Sequence, residues 1–439
     1  MNLDFTELLE FYRDHTYNNL MAYWMKRLDT ENGGVFNCLN NRGDRLLHEH
    51  KFVWSQGRWA YTTAQLYART EGELGEDVRA AYLETSRATS HFLMDHARLE
   101  NGNCAFVLSR DGRPIMIGED GSERERRDGE VYDYSISADC FALYGVGEYA
   151  RVSGEEAAYR WARDLYLSWD RRLENGTARL DYPYPVPAGY VTHDSRMERI
   201  EAGRSLAGAA DRFGDTAMAT AARDRARQAM NEVMEIFVQP DGLVLEMLGE
   251  DCKPVDTLLG RYCNPGHTIE DMWFIMQLAR DLGDEDVVAR AAEVTRATCE
   301  KAWDHEVAGG VPQFVDRDTG YQPTGNVPPE IEDAVMVHKL RNLWDKKLWW
   351  PHSEALYALL LAYELTGEAW TLDWFARFHE YTFNTFPNPD REVGEWIQIR
   401  NRQGQPEDAV VALPVKDPMH IIRAFQHTID TLKRLLAGN

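Results

Sequence analysis

The chain has 439 residues, 48 of them basic and 72 acidic, and its formal net charge is −24 at pH 7. This negative charge argues against nucleic acids and anionic membrane surfaces as partners and is compatible with a neutral small molecule. No apolar run approaches the roughly 18 residues that a transmembrane helix needs. The N-terminus does not resemble a signal peptide, and the six cysteines contain no C-x-x-C pair. We therefore expect free thiols and a cytoplasmic protein.

Apolar residues recur at helical spacing along most of the chain. Short connections and long connections alternate between the helices that this periodicity predicts. Helices that follow long connections would form one set, and helices that follow short ones would form another. The predicted helices span about residues 4–24, 55–70, 77–97, 135–153, 156–172, 195–213, 215–237, 267–282, 284–304, 351–366, 368–386 and 418–437.

The short connections share one pattern, a glycine followed at once by an acidic residue. A glycine that ends one helix, followed by an acid that begins the next, is typical of an αα-hairpin. The five turns are Gly75-Glu76, Gly154-Glu155, Gly214-Asp215, Gly283-Asp284 and Gly367-Glu368.

The long connections are rich in glycine, proline and aromatic residues. The apolar run Cys104–Leu108 predicts a short strand, and Asp111-Gly112 after it predicts a hairpin turn. The charged run from Glu119 to Glu130 is interpreted as a solvated loop. We therefore expect short β-hairpins in the long connections, all at one face of the molecule.

Paired helices of this kind can be arranged in two ways. Six αα-hairpins can close into an all-α (α/α)6 barrel with inner and outer helices, or they can stack into an open solenoid. The weak similarity between the pairs and their irregular connections favour the closed barrel. No linker-like segment divides the chain, so we predict one domain over residues 1–439.

Chemically capable side chains concentrate in the first turns of helices that follow long connections. If paired helices run antiparallel, these first turns lie at the same end of the barrel, which predicts the position of an active site. The residues concerned are Arg58, His267, Glu270, Trp350, Glu354 and His420.

The two histidines are the strongest candidates. His267 opens a helix after Asn-Pro-Gly, and Glu270 and Trp273 share its helical face, so that Glu270 could orient the imidazole. His420 opens another helix, one turn before Arg423. Two such histidines could exchange protons from opposite sides of a substrate near pH 7. Alternatively, each belongs to a polar network at a helix start. An H-x-x-E metal site would require a second copy of the motif, which is absent.

Aromatic and charged residues at two further helix starts could bind a sugar. Trp54 and Trp350 offer faces for the apolar side of a sugar ring, and Glu354 could accept hydrogen bonds from hydroxyls. Arg58 could stabilise an oxyanion. The alternatives are a structural tryptophan cluster and ordinary salt bridges. No G-x-S-x-G, P-loop or G-x-G-x-x-G motif is present, so acyl hydrolysis, NTP hydrolysis and dinucleotide chemistry have no support.

Several motifs together resemble the N-acylglucosamine 2-epimerase family, over nearly the whole chain. They resemble that enzyme type more than the cellobiose 2-epimerases or the ketose–aldose isomerases of the superfamily. The resemblance rests on Trp24, Gly33-Gly34-Val35-Phe36, Lys51 to Arg58, Cys104 to Pro114, Asn264 to Glu270, Lys347 to Glu354, Gly394-Glu395-Trp396, and His420 with Arg423.

The resemblance implies an (α/α)6 barrel that inverts sugars at C2 through a cis-enediolate. His267 and His420 would be the acid–base pair, Arg58 would stabilise the enediolate oxygen, and Glu270 would orient His267. The substrate contacts implied are Trp54, Glu198, Trp273, Trp350, Glu354 and Arg423. The family also implies a homodimer, ATP as an activator that is not consumed, and neither metal nor redox cofactor.

One position departs from the neutral-sugar relatives. Cellobiose epimerases and sugar isomerases carry an active-site histidine before a Glu-Ala pair, and Glu198 stands there in this chain. Interconversion of N-acylglucosamine and N-acylmannosamine is therefore the leading hypothesis. The alternatives are a neutral-sugar 2-epimerase, an aldose–ketose isomerase, a glycoside hydrolase that uses Glu270 and Glu354, and a carbohydrate-binding protein without catalysis.

Overall fold

Helices dominate the computed structural model, which describes residues 3–118, 121–318 and 320–438. Helix α1 continues through a π-helical segment, Asp14–Leu20, into α2, and a second π-helical segment, Val233–Phe237, extends α8. In chain order the α-helices are α1 (Phe5–Arg13), α2 (Met21–Trp24), α3 (Val53–Arg69), α4 (Glu76–His96), α5 (Ile136–Ser153), α6 (Glu156–Glu174), α7 (Asp194–Arg212), α8 (Thr216–Glu232), α9 (Leu258–Arg261), α10 (Pro265–Leu282), α11 (Glu285–Ala302), α12 (Val335–Asn342), α13 (Trp349–Thr366), α14 (Ala369–Thr385) and α15 (Met419–Gly438).

The long helices form two concentric layers. In the inner ring, α3, α5, α7, α10, α13 and α15 each pack against the next, and α15 packs against α3. The outer helices α4, α6, α8, α11 and α14 each pack on the inner helix that precedes them, and α1 packs on α15. The predicted (α/α)6 barrel is therefore confirmed. The open solenoid is wrong, because its first and last inner helices would not touch.

Four of the five predicted glycine turns end a helix as expected. Gly154, Gly214, Gly283 and Gly367 have φ between 69° and 78°, the left-handed region that glycine adopts without a steric penalty. Gly75 differs, because α3 already ends at Arg69 and Gly75 instead precedes α4 with φ −58°. The reversal between α3 and α4 is therefore longer than the sequence pattern predicts.

Two glycines allow the first two inner helices to approach closely. A Cβ atom added to Gly145 of α5 would lie 2.1 Å from the carbonyl oxygen of Gly57 of α3. A Cβ atom on Gly57 would lie 2.0 Å from the carbonyl oxygen of Phe141. The backbones of the two helices are thus in contact at this crossing. A larger residue at either glycine would require one helix to shift.

Short antiparallel strands pair between the long connections at the end of the barrel where the inner helices begin. A strand ends directly before α3 and α13 and one residue before α7 and α10, and it pairs with a strand of the next long connection. This pairing fixes where those helices begin. Along the described chain the pairs are β1 (Lys51–Phe52) with β2 (Val107–Leu108), β3 (Met116–Ile117) with β4 (Glu123–Arg124), β5 (Tyr190–Thr192) with β6 (Met247–Gly249), β7 (Tyr262–Cys263) with β8 (Val315–Asp316), and β9 (Lys347–Leu348) with β10 (Ile399–Arg400).

The predicted details of the second long connection are confirmed in part. The strand predicted over Cys104–Leu108 is shorter, since only Val107–Leu108 forms a strand, while Cys104 makes an isolated bridge with Arg98. Gly112 adopts φ 94° and its N–H donates to the carbonyl of Ser109 at 3.1 Å, which confirms the turn. The interpretation of the charged run as a loop is wrong where β4 pairs with β3, and Glu119 lies outside the described residues.

The cysteines and the helices bear on two further predictions. All six cysteines are free thiols, and Cys252 alone among them is not fully buried. None of the helices within the described ranges combines the length and the apolar character that crossing a membrane requires.

Candidate active site

A cavity opens at the end of the barrel where the inner helices begin. Its wall takes residues from all the inner helices and from the connections that precede α7 and α15. The first turns of the inner helices therefore lie together at one end of the barrel, as predicted. The predicted site residues that line the cavity are Trp54, Arg58, Glu198, His267, Glu270, Trp350 and His420, and those that do not are Trp273, Glu354 and Arg423.

His267 is held by a carboxylate that the sequence analysis missed. Its Nδ1 lies 2.8 Å from Oε1 of Glu246, which immediately precedes β6. The prediction that Glu270 orients His267 is wrong. Glu270 lies one helical turn deeper, about 4.5 Å along the axis of α10, and its carboxylate reaches α15 instead.

The surroundings of His267 favour its protonated form. Burial by itself lowers the pKa of a histidine, but the charge and hydrogen bond of Glu246, together with the charge of Asp194, outweigh burial and raise the pKa of His267 to about 9. The charges of His267 and His193 in turn outweigh burial at Glu246 and lower its pKa to about 2. At pH 7 this pair is therefore an imidazolium beside a carboxylate.

His420 has the opposite character. Its Nδ1 lies 2.7 Å from Oε1 of Glu354 on α13 and 3.6 Å from Oε1 of Glu270. Burial lowers the pKa of His420 to about 3, and the charges of Arg58 and Arg423 act in the same direction. The imidazole is thus neutral at pH 7.

Beneath the cavity, a buried arginine joins the two carboxylates near His420. Nη2 of Arg423 donates to Oε1 of Glu354 at 2.6 Å and also donates to Oε1 of Glu270. The side chain of Arg423 is 3% exposed, so the prediction that it binds substrate is wrong. Its position instead offsets the charge of both carboxylates.

Two further substrate-binding predictions are wrong for the same reason. The indole Nε1 of Trp273 donates to Oε2 of Glu354 at 2.9 Å, and its ring is fully buried against Phe274 and Tyr357. Both oxygens of Glu354 are therefore engaged within the protein. Glu354 supports His420 rather than sugar hydroxyls, and Trp273 supports Glu354.

Ligand atoms of Glu270, Glu354 and His420 lie within 4.8 Å of one another, a grouping that could hold a metal ion. Arg423 hydrogen-bonds both carboxylates of this group, however, and so already supplies their positive partner. The donor set does not fit a metal, because a cation there would have to displace the guanidinium.

Arg58 faces the cavity from α3. Its Nη1 donates to Oδ2 of Asp417 at 2.5 Å, and its guanidinium lies over the rings of Trp54 and Phe141, 4.6 and 4.0 Å from their centroids. Asp417 precedes α15 and also accepts a hydrogen bond from the backbone N–H of Met419. The guanidinium is thus fixed from two sides and keeps donors available for a ligand.

Trp350 lies between the two histidines. Its ring centroid is 5.6 Å from that of His267 and 5.2 Å from that of His420. The floor between the imidazoles is therefore a flat aromatic surface, which is compatible with stacking on a sugar.

Acidic side chains from α7 form the wall beside His267. Asp194 and Glu198 are one helical turn apart and both line the cavity. Burial raises the pKa of Glu198 to about 8, and the charge of Asp194 acts in the same direction. Glu198 thus carries its proton at neutral pH and can donate a hydrogen bond.

Another part of the wall is apolar and comes from the connection before α15. Val411, Ala412, Leu413 and Val415 face the cavity. The hydroxyl of Tyr182 donates to the carbonyl of Ala412 at 2.8 Å, which ties this segment to the connection before α7.

Sequence reasoning missed Glu246, Asp194 and Asp417. Glu246 had a local signal, a single acid inside the apolar run Val244–Leu248. Asp417 stands directly before the helix-opening Pro418, where acids often cap helices. Neither signal identifies the partner, which is 21 positions away for Glu246 and 359 positions away for Asp417.

The arrangement can move protons at one carbon atom. Each histidine is held through Nδ1, and Nε2 of neither makes a hydrogen bond to the rest of the described chain. One imidazole is charged and the other neutral, with an arginine in the same cavity. A carbon acid bound on Trp350 could lose a proton to one histidine and gain one from the other.

Comparisons with known proteins find sugar epimerases that are similar to this chain. The family described as N-acylglucosamine 2-epimerase (GlcNAc 2-epimerase) matches residues 34–424. An N-acylglucosamine 2-epimerase of Bos taurus is 29% identical over 98% of this chain and 93% of its own length. One of Mus musculus is 30% identical over 95% and 90%.

Solved structures show the same fold. A cellobiose 2-epimerase from Spirochaeta thermophila DSM 6192 superposes with a TM-score of 0.73 at 17% identity, covering 98% of each chain.

Proposed function

This chain belongs to the N-acylglucosamine 2-epimerase family, whose members are sugar 2-epimerases and hence isomerases, and from this premise we propose that it interconverts N-acyl-D-glucosamine and N-acyl-D-mannosamine. The observation that carries the proposal is the pair His267 and His420, which share one cavity and differ in charge at neutral pH. Inversion at one carbon needs a base and an acid at the same time, and this pair supplies both.

The proposed reaction acts on the open-chain sugar, in which the C1 carbonyl acidifies the C2 proton. Neutral His420 accepts that proton on Nε2, and the electron pair moves to the C1 oxygen. The enediolate-type intermediate is then an enolate, because C2 carries the acylamino nitrogen. His267 donates its Nε2 proton to the opposite face of C2, and the carbonyl re-forms. The opposite epimer uses the two histidines in reverse.

Other cavity residues have assigned parts in this scheme. Arg58 stabilises the oxygen at C1, where negative charge develops, and Asp417 keeps the guanidinium aimed at it. Trp350 stacks on the sugar between the two imidazoles. Protonated Glu198 donates a hydrogen bond to the substrate from the α7 wall. The scheme requires neither a redox cofactor nor a metal.

This geometry argues against the glycoside hydrolase alternative. A hydrolase would need two carboxylates that flank a glycosidic bond. Glu354 lies outside the cavity wall, and both it and Glu270 accept hydrogen bonds from Arg423. Neither carboxylate is therefore free to act on a glycoside.

Proton NMR of the protein with N-acetylmannosamine in D2O tests the proposal, with mannose as a parallel substrate. The expected result is N-acetylglucosamine that carries deuterium at C2. Reaction of mannose alone would contradict the proposal, and the product, glucose or fructose, would then distinguish a neutral-sugar epimerase from an isomerase.

Family membership suggests two further properties, which stay predictions. ATP is expected to accelerate the reaction without being consumed, and repeating the NMR assay with and without ATP measures this effect. The protein is expected to be a homodimer, and light scattering of the purified chain measures its mass against the monomer mass of 50.5 kDa. A cytoplasmic location is a separate prediction, which rests on the N-terminus and the cysteine pattern rather than on the family.

A further inference from the structure

A second buried histidine lies behind Glu246. His193 directly precedes α7 and has no exposed surface. Its Nε2 is 2.7 Å from Oδ2 of Asp271 on α10, and its Nδ1 is 3.5 Å from Oε2 of Glu246. Both ring nitrogens therefore face carboxylates.

These contacts complete a chain of four ionisable side chains, Asp271, His193, Glu246 and His267. Glu246 uses Oε1 for His267 and turns Oε2 toward His193. The backbone reinforces the link, because the N–H of His193 donates to the carbonyl of Glu246 at 3.0 Å. Only His267, at the end of the chain, reaches the cavity.

The position of Glu246 depends on this support. Oε2 of Glu246 and Nδ1 of His193 lie 3.5 Å apart, and neither atom makes a hydrogen bond to the described residues. A buried carboxylate oxygen without a positive neighbour is strongly disfavoured. Removing His193 would therefore allow Glu246, and with it the imidazole of His267, to move.

We propose that His193 is a positioning residue, which acts through Glu246 to hold His267 where it transfers a proton to or from the substrate, and that Asp271 anchors His193. The proposal rests on the two-histidine scheme above. The surroundings agree with it, since the two carboxylates outweigh burial and raise the pKa of His193 to about 10. An imidazolium at this site can donate to both carboxylates at once.

Another buried histidine supplies a matched control. His352 on α13 also has no exposed surface, but its partners are backbone groups, the carbonyl of Leu348 and the N–H of Val311. His352→Gln should lower thermal stability as His193→Gln does, because each loses buried hydrogen bonds. It leaves the chain from Asp271 to His267 intact.

The decisive measurement compares two amounts by NMR in D2O: the recovered substrate that has gained deuterium at C2, and the epimer that has formed. Their ratio is determined with each epimer in turn as the starting substrate. In His193→Gln, His267 is held less firmly. An intermediate that His420 has formed by removing the C2 proton is therefore protonated less often by His267 and more often by His420. The ratio should rise about tenfold for the epimer that His420 deprotonates and fall for the other. His352→Gln should leave both ratios at the wild-type value. Unchanged ratios in His193→Gln, or equal changes in both variants, would overturn the proposal.

Two further measurements keep the test independent of folding and of the substrate. Asp271→Asn retains His193 and should change the ratios in the same opposed directions. Nitrogen-15 NMR of the histidines in the wild-type protein should show His193 with protons on both ring nitrogens. A neutral His193 without a proton on Nδ1 would refute the proposal even if no N-acyl sugar reacts, whereas an inactive protein with a doubly protonated His193 would refute only the proposed substrate.

Discussion

His267 and His420 occupy equivalent places, at the starts of two inner helices, yet their neighbours give them different charges. Glu246 faces His267 without a competing arginine, whereas the carboxylates near His420 share Arg423. Although Glu246 also faces His193, its charge and that of Asp194 together raise the pKa of His267. A carboxylate that an arginine already neutralises stabilises an imidazolium far less. The asymmetry thus provides one proton donor and one acceptor at the same pH.

Replacing either histidine should stop the reaction while the fold persists. His267→Ala and His420→Ala are each expected to lower kcat by roughly 10²- to 10⁴-fold, because each removes one of two proton-transfer groups. Steady-state kinetics measures the loss, and circular dichroism checks the helix content. Near-normal rates in either variant would remove the two-histidine scheme.

Glu246→Gln should change the pH dependence of the rate. In the wild type, the fraction of His267 that can donate a proton falls as pH rises through about 9, so the rate of the direction that needs this donor falls there. Without the carboxylate, burial lowers the pKa of His267, and the same decline begins at lower pH. At pH 7 we expect a loss of roughly 10²-fold.

A control for this variant lies on the same connection. Glu250 is exposed and accepts a hydrogen bond from the N–H of Gly189, so Glu250→Gln should keep the wild-type profile. If the two variants had the same profile, Glu246 would have no special effect on His267.

At the scale of elements, the site depends on where each inner helix begins. Strands β1, β7 and β9 end directly before or within two residues of α3, α10 and α13, and their pairing ties those starts to neighbouring connections. Asn264 adds a cap, since its Oδ1 accepts from the N–H of His267 at 3.3 Å. The candidate side chains on these helices thus stand on fixed first turns rather than on free loops.

The crossing of α3 and α5 gives a prediction about stability. Gly145→Ala would force Cβ against the Gly57 carbonyl, and we expect a loss of about 3 kcal/mol in the free energy of unfolding. Gly147→Ala on the same helix meets only Cβ of Ala162, at 3.6 Å. Because alanine favours helix over glycine, that variant should be neutral or gain up to about 1 kcal/mol. Urea unfolding measures both, and equal effects would contradict the close contact.

At the scale of the whole molecule, ring closure makes the site. Arg58 on α3 and His420 on α15 are 362 positions apart, that is 420 − 58, and they meet in one cavity because α15 packs on α3. Every inner helix contributes to the wall. A substitution that shifts one hairpin is therefore expected to alter both the site and the packing of the neighbouring hairpins.

Calorimetry should show one cooperative transition for the wild-type protein. In a closed ring each hairpin packs against two neighbours, so that no hairpin can unfold alone without exposing the core of the others. Gly145→Ala should move the whole transition to lower temperature rather than split it. Two separate transitions in either protein would contradict the prediction of one domain.

The sequence by itself determined the helices, their pairing and the end of the barrel where the site lies. These features depend on local signals, namely apolar periodicity, glycine turns and helix-opening residues such as Pro265. They also placed six side chains correctly on the cavity wall, and the family resemblance added a seventh, Glu198. Such signals act over a few residues, and so they can be found without knowing the fold.

The tertiary structure alone decided which side chains face each other. Helical spacing suggested Glu270 as the partner of His267, but the partner is Glu246 from a preceding connection, and Glu270 meets Arg423 instead. Likewise Glu354 supports His420 rather than a sugar. Spacing along one helix shows only which residues share a face. Contacts between segments depend on how the ring closes. Because Glu270 stands one helical turn away from His267, it meets a different partner.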